Sequence, residues 1–470
     1  MLAALGAVYL LTSRQGQYWG DDFAMYLMQA KGMAVGASAG QNGYIYNPAT
    51  PQIGPPSYPP LFPALLSLAY RFRGPDFHMM KIEVTFCFLT ALFVAVLLYR
   101  RHLPFPFCLV AIGVVALNPY FLTFKDALVS DLPFLLPCYL CLYSLDECNR
   151  YLWKRTGWAL MLLVALFLAL ITRSVAIILV PVVAVTAVLH YVRYRRIPAR
   201  VATVLAGAVA MVYCNTLVFP GAASYLDQMG GRKWILLGHT AMEYFWSFRH
   251  LLWGIGRADY LALAGCLVLM FLGALGYWIR ITNSPSAAEL FTAMYGPMIF
   301  LLVGADLRLL IPLIPLWTFY ILVALMDLYW RPMWRRTVQV LAVLLVALYG
   351  WSYTANLVTR ESGPIREGLG DPAFADLCRY IREATPVTSV LLSPKPRLVA
   401  FATGRRASSC SAGGDTEFWD YVDRVGADYI IVTPLFSGCG DRSVPPRPSG
   451  PAQTQDVFSN AEFRLISVRR

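Results

Sequence analysis

The sequence predicts a polytopic α-helical membrane protein of about eleven transmembrane helices with a small soluble α/β domain at its C-terminal end. Three observations predict it. Of 470 residues, 58% are hydrophobic and 14% charged, against roughly 25% charged in a soluble globular protein. The apolar residues gather into long runs joined by short basic links, and after residue 355 the pattern changes to that of amphipathic helices and short strands. The net charge of +12 does not point to nucleic acid. The basic residues sit between apolar runs, where they set topology and contact anionic lipids.

The runs lie near 1–12, 85–99, 107–124, 127–145, 157–171, 174–191, 201–219, 258–279, 288–305, 308–328 and 337–355. Several fall short of the ~20 residues a span usually needs. The first reaches only about 18 Å of a ~30 Å hydrocarbon core, so an incomplete N-terminus or a misplaced start is expected. The links holding Arg100 and Arg101, Arg150, Lys154 and Arg155, Arg193, Arg195, Arg196 and Arg200, Arg280, and Arg331, Arg335 and Arg336 are basic-rich and are expected on the cytoplasmic side. Arg173 interrupts 157–191. Two short helices turning at Thr172–Arg173–Ser174 keep the links at 150–155 and 193–200 on one face, so two are expected. Residues 13–84, the link 124–131, the loop 220–257 and everything after 355 then share the outer face. The expected division is a transmembrane catalytic domain over 1–355 and an extracytoplasmic domain over 356–470. There is no A-x-A-like cleavage site after the apolar start, and no internal repeat.

Seven of the ten cysteines lie in or beside apolar runs and read as small buried hydrophobes. Cys138 and Cys141 form a CxxC within a span, without partner ligands. In the tail, a disulfide between Cys410 and Cys439 is expected if that region is outside the cytoplasm. FADLCRYIREA and EFWDYVDRV each have helical spacing, with Phe374, Leu377, Cys378 and Ile381 on one face of the first helix and Phe418, Tyr421, Val422 and Val425 on one face of the second. TSVLLS, DYIIVTP and FRLISV read as strands, and CGDRSVPPRPSGPAQTQ as a Pro/Gly loop.

Ionisable residues beside a bilayer are functional candidates by default. Asp21 and Asp22 precede FAMYLMQAKGMA, an amphipathic interfacial helix closed by Gly36; a plainer reading makes one of them its N-cap. GPPSYPPLFPALL, with Tyr58, reads as a stiff return path. NPYFLTFKDALVSDLPF places Asp126 and Asp131 at the outer boundary, either as solvated ends or as a second acidic contribution to one cavity. Arg173 and Arg308 add cations at the same depth, with lipid-surface snorkelling as the alternative. Outer carboxylates and arginines suit an anionic, lipid-linked substrate: the carboxylate as base on a hydroxyl, the guanidinium on a phosphate.

The order of these features resembles the GT-C superfamily of membrane glycosyltransferases, in the branch of protein O-mannosyltransferases and lipid A aminoarabinose transferases (glycosyltransferase family 39-like). GDDFAMYLMQAKGMA resembles the first-loop motif, an acid four residues before an aromatic, which aligns Asp22 with the acidic catalytic position and Tyr26 with the aromatic. YPPLFP resembles the Pro-Pro motif, SDLPF the second acidic motif at Asp131, and RLLIPLIP the Arg-x-x-x-Pro-x-x-Pro segment at Arg308. In aminoarabinose transferases a lysine precedes the Pro-Pro pair; here it is Tyr58, so phosphate contact is expected from Arg308, Arg173 or Lys81. PRLVAFATGRR resembles the soluble tail of bacterial members.

The resemblance implies sugar transfer from a polyprenyl-phosphate donor to a hydroxyl of a glycan, lipid or protein acceptor at the outer face of a bacterial inner membrane, with inversion. It assigns Asp22, Asp21 and Asp131 to catalysis, Arg308, Arg173 and Lys81 to the donor phosphate, and Tyr26, Tyr58 and Asp126 to the substrate cavity. No cofactor is identified and no spacing demands a metal, though the outer acids leave a divalent cation open. A transporter or lipid flippase is the main rival, and would be expected to show repeats and mid-membrane charges. An inactive membrane scaffold is the other.

Overall fold

A computed structural model of the chain describes residues 1–36, 42–218, 236–252, 259–283, 285–301, 306–359, 361, 363–410, 414–436, 439, 444 and 453–469. Helices occupy all eleven apolar runs: α1 (Leu2–Leu11), α4 (Phe77–Tyr99), α5 (Phe105–Leu117) with the short α6 (Pro119–Phe124), α7 (Asp131–Arg150), α8 (Thr156–Leu170), α9 (Leu179–Tyr194), α10 (Ala199–Val218), α12 (Asp259–Asn283), α13 (Ala287–Leu301), α14 (Ile314–Tyr329) and α15 (Arg335–Thr359). Among the described residues, four helical stretches are long and apolar enough to cross a membrane: Phe77–Tyr99, Ser174–Tyr194, Leu263–Asn283 and Arg335–Thr359. Five more apolar helices have 10–17 residues. The expected break at Arg173 is present: α8 ends at Leu170, Arg173 is extended, and a 3-10 turn over Ser174–Ile178 leads into α9. The loop 220–257 is not wholly irregular, because it carries α11 (Leu236–Leu252).

The helix ends sort onto two faces. At one, Arg101 after α4 pairs with Asp146 (3.4 Å) and with Glu147 near the end of α7. Arg280 of α12 pairs with Glu289 of α13 at 3.2 Å and meets the His102 ring at 3.0 Å. Arg200 donates to the Trp153 carbonyl. Four of the five basic links, those at 100–101, 150–155, 193–200 and 280, therefore converge on one end of the bundle. The first loop, the start of α7, the α8–α9 turn and the start of α14 meet at the other.

At that second end the first loop folds as α2 (Asp21–Val35), a two-residue strand β1 (Tyr44–Ile45) and α3 (Leu61–Arg73). The tail supplies β2 (Val390–Leu392), β3 (Arg406–Ser408), β4 (Tyr429–Val432), β5 (Gln453–Ser459) and β6 (Arg464–Arg469), with α16 (Pro372–Ala384), α17 (Pro396–Thr403) and α18 (Asp415–Val425). The sheet order among the described residues is β1-β3-β2-β4-β6-β5. The pairs from β1 to β4 are parallel, and β6 is antiparallel to both its neighbours. Val390–Leu392 is apolar throughout because both faces of that central strand are covered. β1 pairs with β3 through Tyr44 opposite Ala407 and Ile45 opposite Ser408. Residues 356–470 thus do not close the sheet alone; the first loop adds its edge. Trp19 strengthens the join, lying edge-on to Phe374 at 5.3 Å and Phe436 at 5.2 Å. Cys410 and Cys439 form the disulfide, their Cα atoms 5.2 Å apart.

Candidate active site

α2 begins at Asp21, with Gly20 as its N-cap, so neither aspartate caps the helix. Both lie in its first turn, where the helix dipole favours negative charge. Phe23, Tyr26, Leu27 and Ala30 are buried and anchor α2, which fixes the direction of both carboxylates.

Asp22 is held from three sides. Its Oδ2 accepts from Arg308 Nη1 at 2.8 Å. Its Oδ1 accepts from the Tyr58 hydroxyl at 2.6 Å and lies 3.3 Å from Arg397 Nη1. Arg397 opens α17 in the tail, and its side chain is fully buried. It also donates to the Tyr58 hydroxyl at 2.8 Å and to the Pro55 carbonyl at 2.7 Å, with its guanidinium carbon 4.9 Å from the Tyr44 ring centre and 5.1 Å from that of Tyr58. Gly54, at φ +111°, passes beneath it; a Cβ there would sit 2.5 Å from Arg397 Nη2. Only glycine fits both that backbone and that space.

A second ion pair lies beside the first. Asp131, the first residue of α7, pairs with Arg173, and its other carboxylate oxygen is buried without a partner among the described residues. Ser130 accepts from Arg173 at 3.5 Å and shares a 2.8 Å hydrogen bond with the Tyr26 hydroxyl. Tyr26 stacks on Tyr58 at 4.6 Å, which closes a ring of contacts back to Asp22. Arg308, held in place by Asp306 at 2.7 Å, feels both Asp22 and Asp131. Asp21, Asp22, Arg308, Leu128, Pro394 and Lys395 are among the residues lining a cavity of about 410 Å³.

The electrostatics of the two aspartates diverge. Burial pushes Asp22 up, but Arg308 and Arg397 outweigh it, with help from the Tyr58 hydrogen bond, and hold its carboxyl well below the usual range. Burial dominates at Asp21 and raises it to about 6, opposed by Arg397 and by the 2.9 Å bond from the Leu398 N–H. A raised native pKa gives stability that is complete below the unfolded value near 4 and is lost as pH rises through about 6. Purified protein should therefore melt at a higher temperature at pH 5 than at pH 7, as far as Asp21 is concerned. Asp21→Asn is expected to flatten that part of the pH profile while keeping the bond from Leu398. A variant with the wild-type slope between pH 4 and 6 would remove Asp21 as its source.

Two expected residues lie elsewhere. The Lys81 ammonium donates to the Arg14 and Gly16 carbonyls at 2.6 and 2.8 Å, so it braces the chain entering the first loop and does not line the cavity. Asp126 is fully buried against Lys125 at 2.9 Å and accepts from the Arg14 N–H; it supports the cavity wall at Ala127 and Leu128 from behind. Arg397 was not among the candidates. Its segment, PRLVAFATGRR, stands out in the sequence, but nothing local says that the tail folds back onto Asp22.

The carboxylates do not fit a divalent cation as they stand, because Asp22 and Asp131 are each neutralised by guanidinium groups. No group of three His, Cys, Asp or Glu residues suited to a metal occurs among the described residues.

No family model and no curated protein sequence matches the chain. Solved structures do match in fold. ArnT from Cupriavidus metallidurans, in a crystal structure bound to undecaprenyl phosphate, aligns over 99% of this chain and 97% of its own, with a TM-score of 0.58 and 13% identity. The archaeal oligosaccharyltransferase AglB from Archaeoglobus fulgidus, in complex with an inhibitory peptide and a dolichol-phosphate, aligns over 92% of this chain and 69% of its own, with a TM-score of 0.56 and 13% identity. The arabinofuranosyltransferase AftD from Mycobacteria aligns over 99% of this chain and 40% of its own, with a TM-score of 0.54 and 14% identity. All three are GT-C superfamily membrane glycosyltransferases, and this chain shares their fold.

Proposed function

We propose that the protein transfers a glycosyl group from a polyprenyl-phosphate donor to a hydroxyl of a glycan, lipid or protein acceptor at the outer face of a bacterial inner membrane. The observation that carries this reading is the Asp22 carboxylate clamped between Arg308 and Arg397 at the edge of a cavity. Two further observations support its orientation. Four of the five basic links converge on the opposite end of the bundle, the arrangement expected of a cytoplasmic face. The Cys410–Cys439 disulfide suits an oxidising compartment for the tail.

In this reaction the acceptor oxygen attacks the anomeric carbon as the bond from that carbon to the phosphate oxygen breaks. The bonding electrons leave with the polyprenyl phosphate, and the hydroxyl proton passes to Asp22. In-line attack inverts the anomeric carbon. Asp22 under two guanidinium groups is a weak base, suited to orienting the hydroxyl and taking its proton late, once bond formation has made that proton acidic. When the donor phosphate draws Arg308 to itself, the carboxylate regains basicity as the leaving charge is stabilised. Asp131 and Arg173 supply a second pair beside the first, while Tyr58 holds the Asp22 carboxylate and Tyr26, stacked on Tyr58, ties it to Ser130 behind the cavity lining. Positioning of both substrates supplies much of the remaining acceleration.

The test is reconstitution of the full chain with polyprenyl-phosphate sugars, together with mass spectrometry of surface glycans and glycolipids with and without the gene. Arg308→Ala should raise the KM for the lipid donor about tenfold or more, the share of a charge-assisted contact, in protein that inserts normally. An unchanged donor dependence would take Arg308 out of the site.

A further inference from the structure

In the reaction above the tail acts only through Arg397 on Asp22, yet its Pro394 and Lys395 also line the Asp22 cavity. Arg397 is spent there on Asp22, Tyr58 and Pro55. Lys395, two residues earlier, is not. Its ammonium stands 4.8 Å from the Phe436 ring and is near enough to Asp21 to favour that carboxylate's charged form, but among the described residues it makes no direct ion pair. Arg308, Arg397 and Arg173 each make one.

Lys395 is also well placed to stay in the cavity. It sits between Pro394 and Pro396, whose rings fix their own backbone and restrict the residue before each. Its N–H is tied to the Ser393 hydroxyl at 3.1 Å. The side chain is half-buried and lines the same cavity as Arg308. A compact ammonium with three donors on a flexible stem suits the oxygens of a phosphate, and a half-buried cation that feels Asp21 without pairing with it directly has its donors open to an anion in the cavity.

We propose that Lys395 is a phosphate-binding residue of the donor site, so that the tail and the membrane bundle grip the lipid phosphate together, Lys395 from one side and Arg308 from the other. This rests on the lipid-phosphate reading above. It makes the tail part of the substrate site.

The experiment uses the full chain in phosphatidylcholine nanodiscs and measures binding of undecaprenyl phosphate and of uncharged undecaprenol by native mass spectrometry. Lys395→Ala should weaken undecaprenyl phosphate about tenfold and leave undecaprenol unchanged, and Lys395→Arg should restore most of the loss. Equal phosphate affinity in wild type and Lys395→Ala overturns the assignment. So does an equal loss for both lipids, which would mark a packing defect. Inorganic phosphate should compete weakly; phosphatidylglycerol competing as well as undecaprenyl phosphate would assign the cation to the general lipid surface instead. A wild-type protein that prefers neither lipid over the other overturns the lipid-phosphate reading itself, a result separable from failure at Lys395 alone.

Discussion

Asp22→Asn should lower sugar transfer by about 10²–10⁴-fold, the range a positioned acid or base contributes, while the protein still inserts and folds. The amide is nearly isosteric and keeps an oxygen for the Tyr58 hydroxyl, now 2.6 Å away. What it loses is charge. Arg308 and Arg397 then face each other without the anion between them, so a lower melting temperature is expected alongside the lost turnover. Rate and stability must therefore be read separately, by single-turnover assays on protein verified as folded. Asp22→Glu is the control: it keeps the charge but carries it one methylene further, and should recover stability more fully than rate. Transfer by Asp22→Asn within about threefold of wild type would remove Asp22 from the chemistry.

Arg397→Ala is expected to have the second-largest effect, and for a different reason. The side chain is fully buried, and its removal leaves Asp22 with Arg308 as its one guanidinium partner, the Pro55 carbonyl without its donor and two tyrosine faces uncovered. Breaking a buried ion pair by removing one partner costs about 3–5 kcal/mol, and the lower end applies here because Asp22 is 26% exposed. Transfer should fall more than about tenfold at neutral pH. The diagnostic measurement is the acid limb of the kcat/KM profile. With one guanidinium gone, the Asp22 carboxyl rises toward its ordinary value, so the limb should move to higher pH. Arg397→Lys keeps a charge without the planar fork and should hold the limb near its wild-type position. A limb that stays fixed in Arg397→Ala would reduce Arg397 to a packing residue.

The sequence carried the two acids, the Pro59–Pro60 pair after Tyr58, and Arg308, because each sits in a short run with its own composition beside an apolar span. Their convergence follows from alternating topology, which basic links report directly. Arg397 was out of reach: nothing within PRLVAFATGRR encodes a partner some 375 positions earlier. Lys81 and Asp126 were misleading for the opposite reason. A charged residue at a boundary reads the same whether it faces substrate or, as here, satisfies backbone carbonyls or a neighbouring lysine. In the tail, α16, α18, β2, β4 and β6 were legible as amphipathic or apolar runs, whereas β5, the longest strand, begins at Gln453 inside the segment that reads as a Pro/Gly loop. β1 and β3, with two and three residues, are too short to carry any periodicity.

The pairing of Tyr44–Ile45 with Arg406–Ser408 also sets an order of events during synthesis. A ribosome that has released the first loop must translate more than three hundred further codons before that loop meets its neighbouring strand. Until then the nascent chain has a membrane anchor without a finished catalytic centre. Prematurely terminated products should accordingly be inert even when every hydrophobic helix has been inserted.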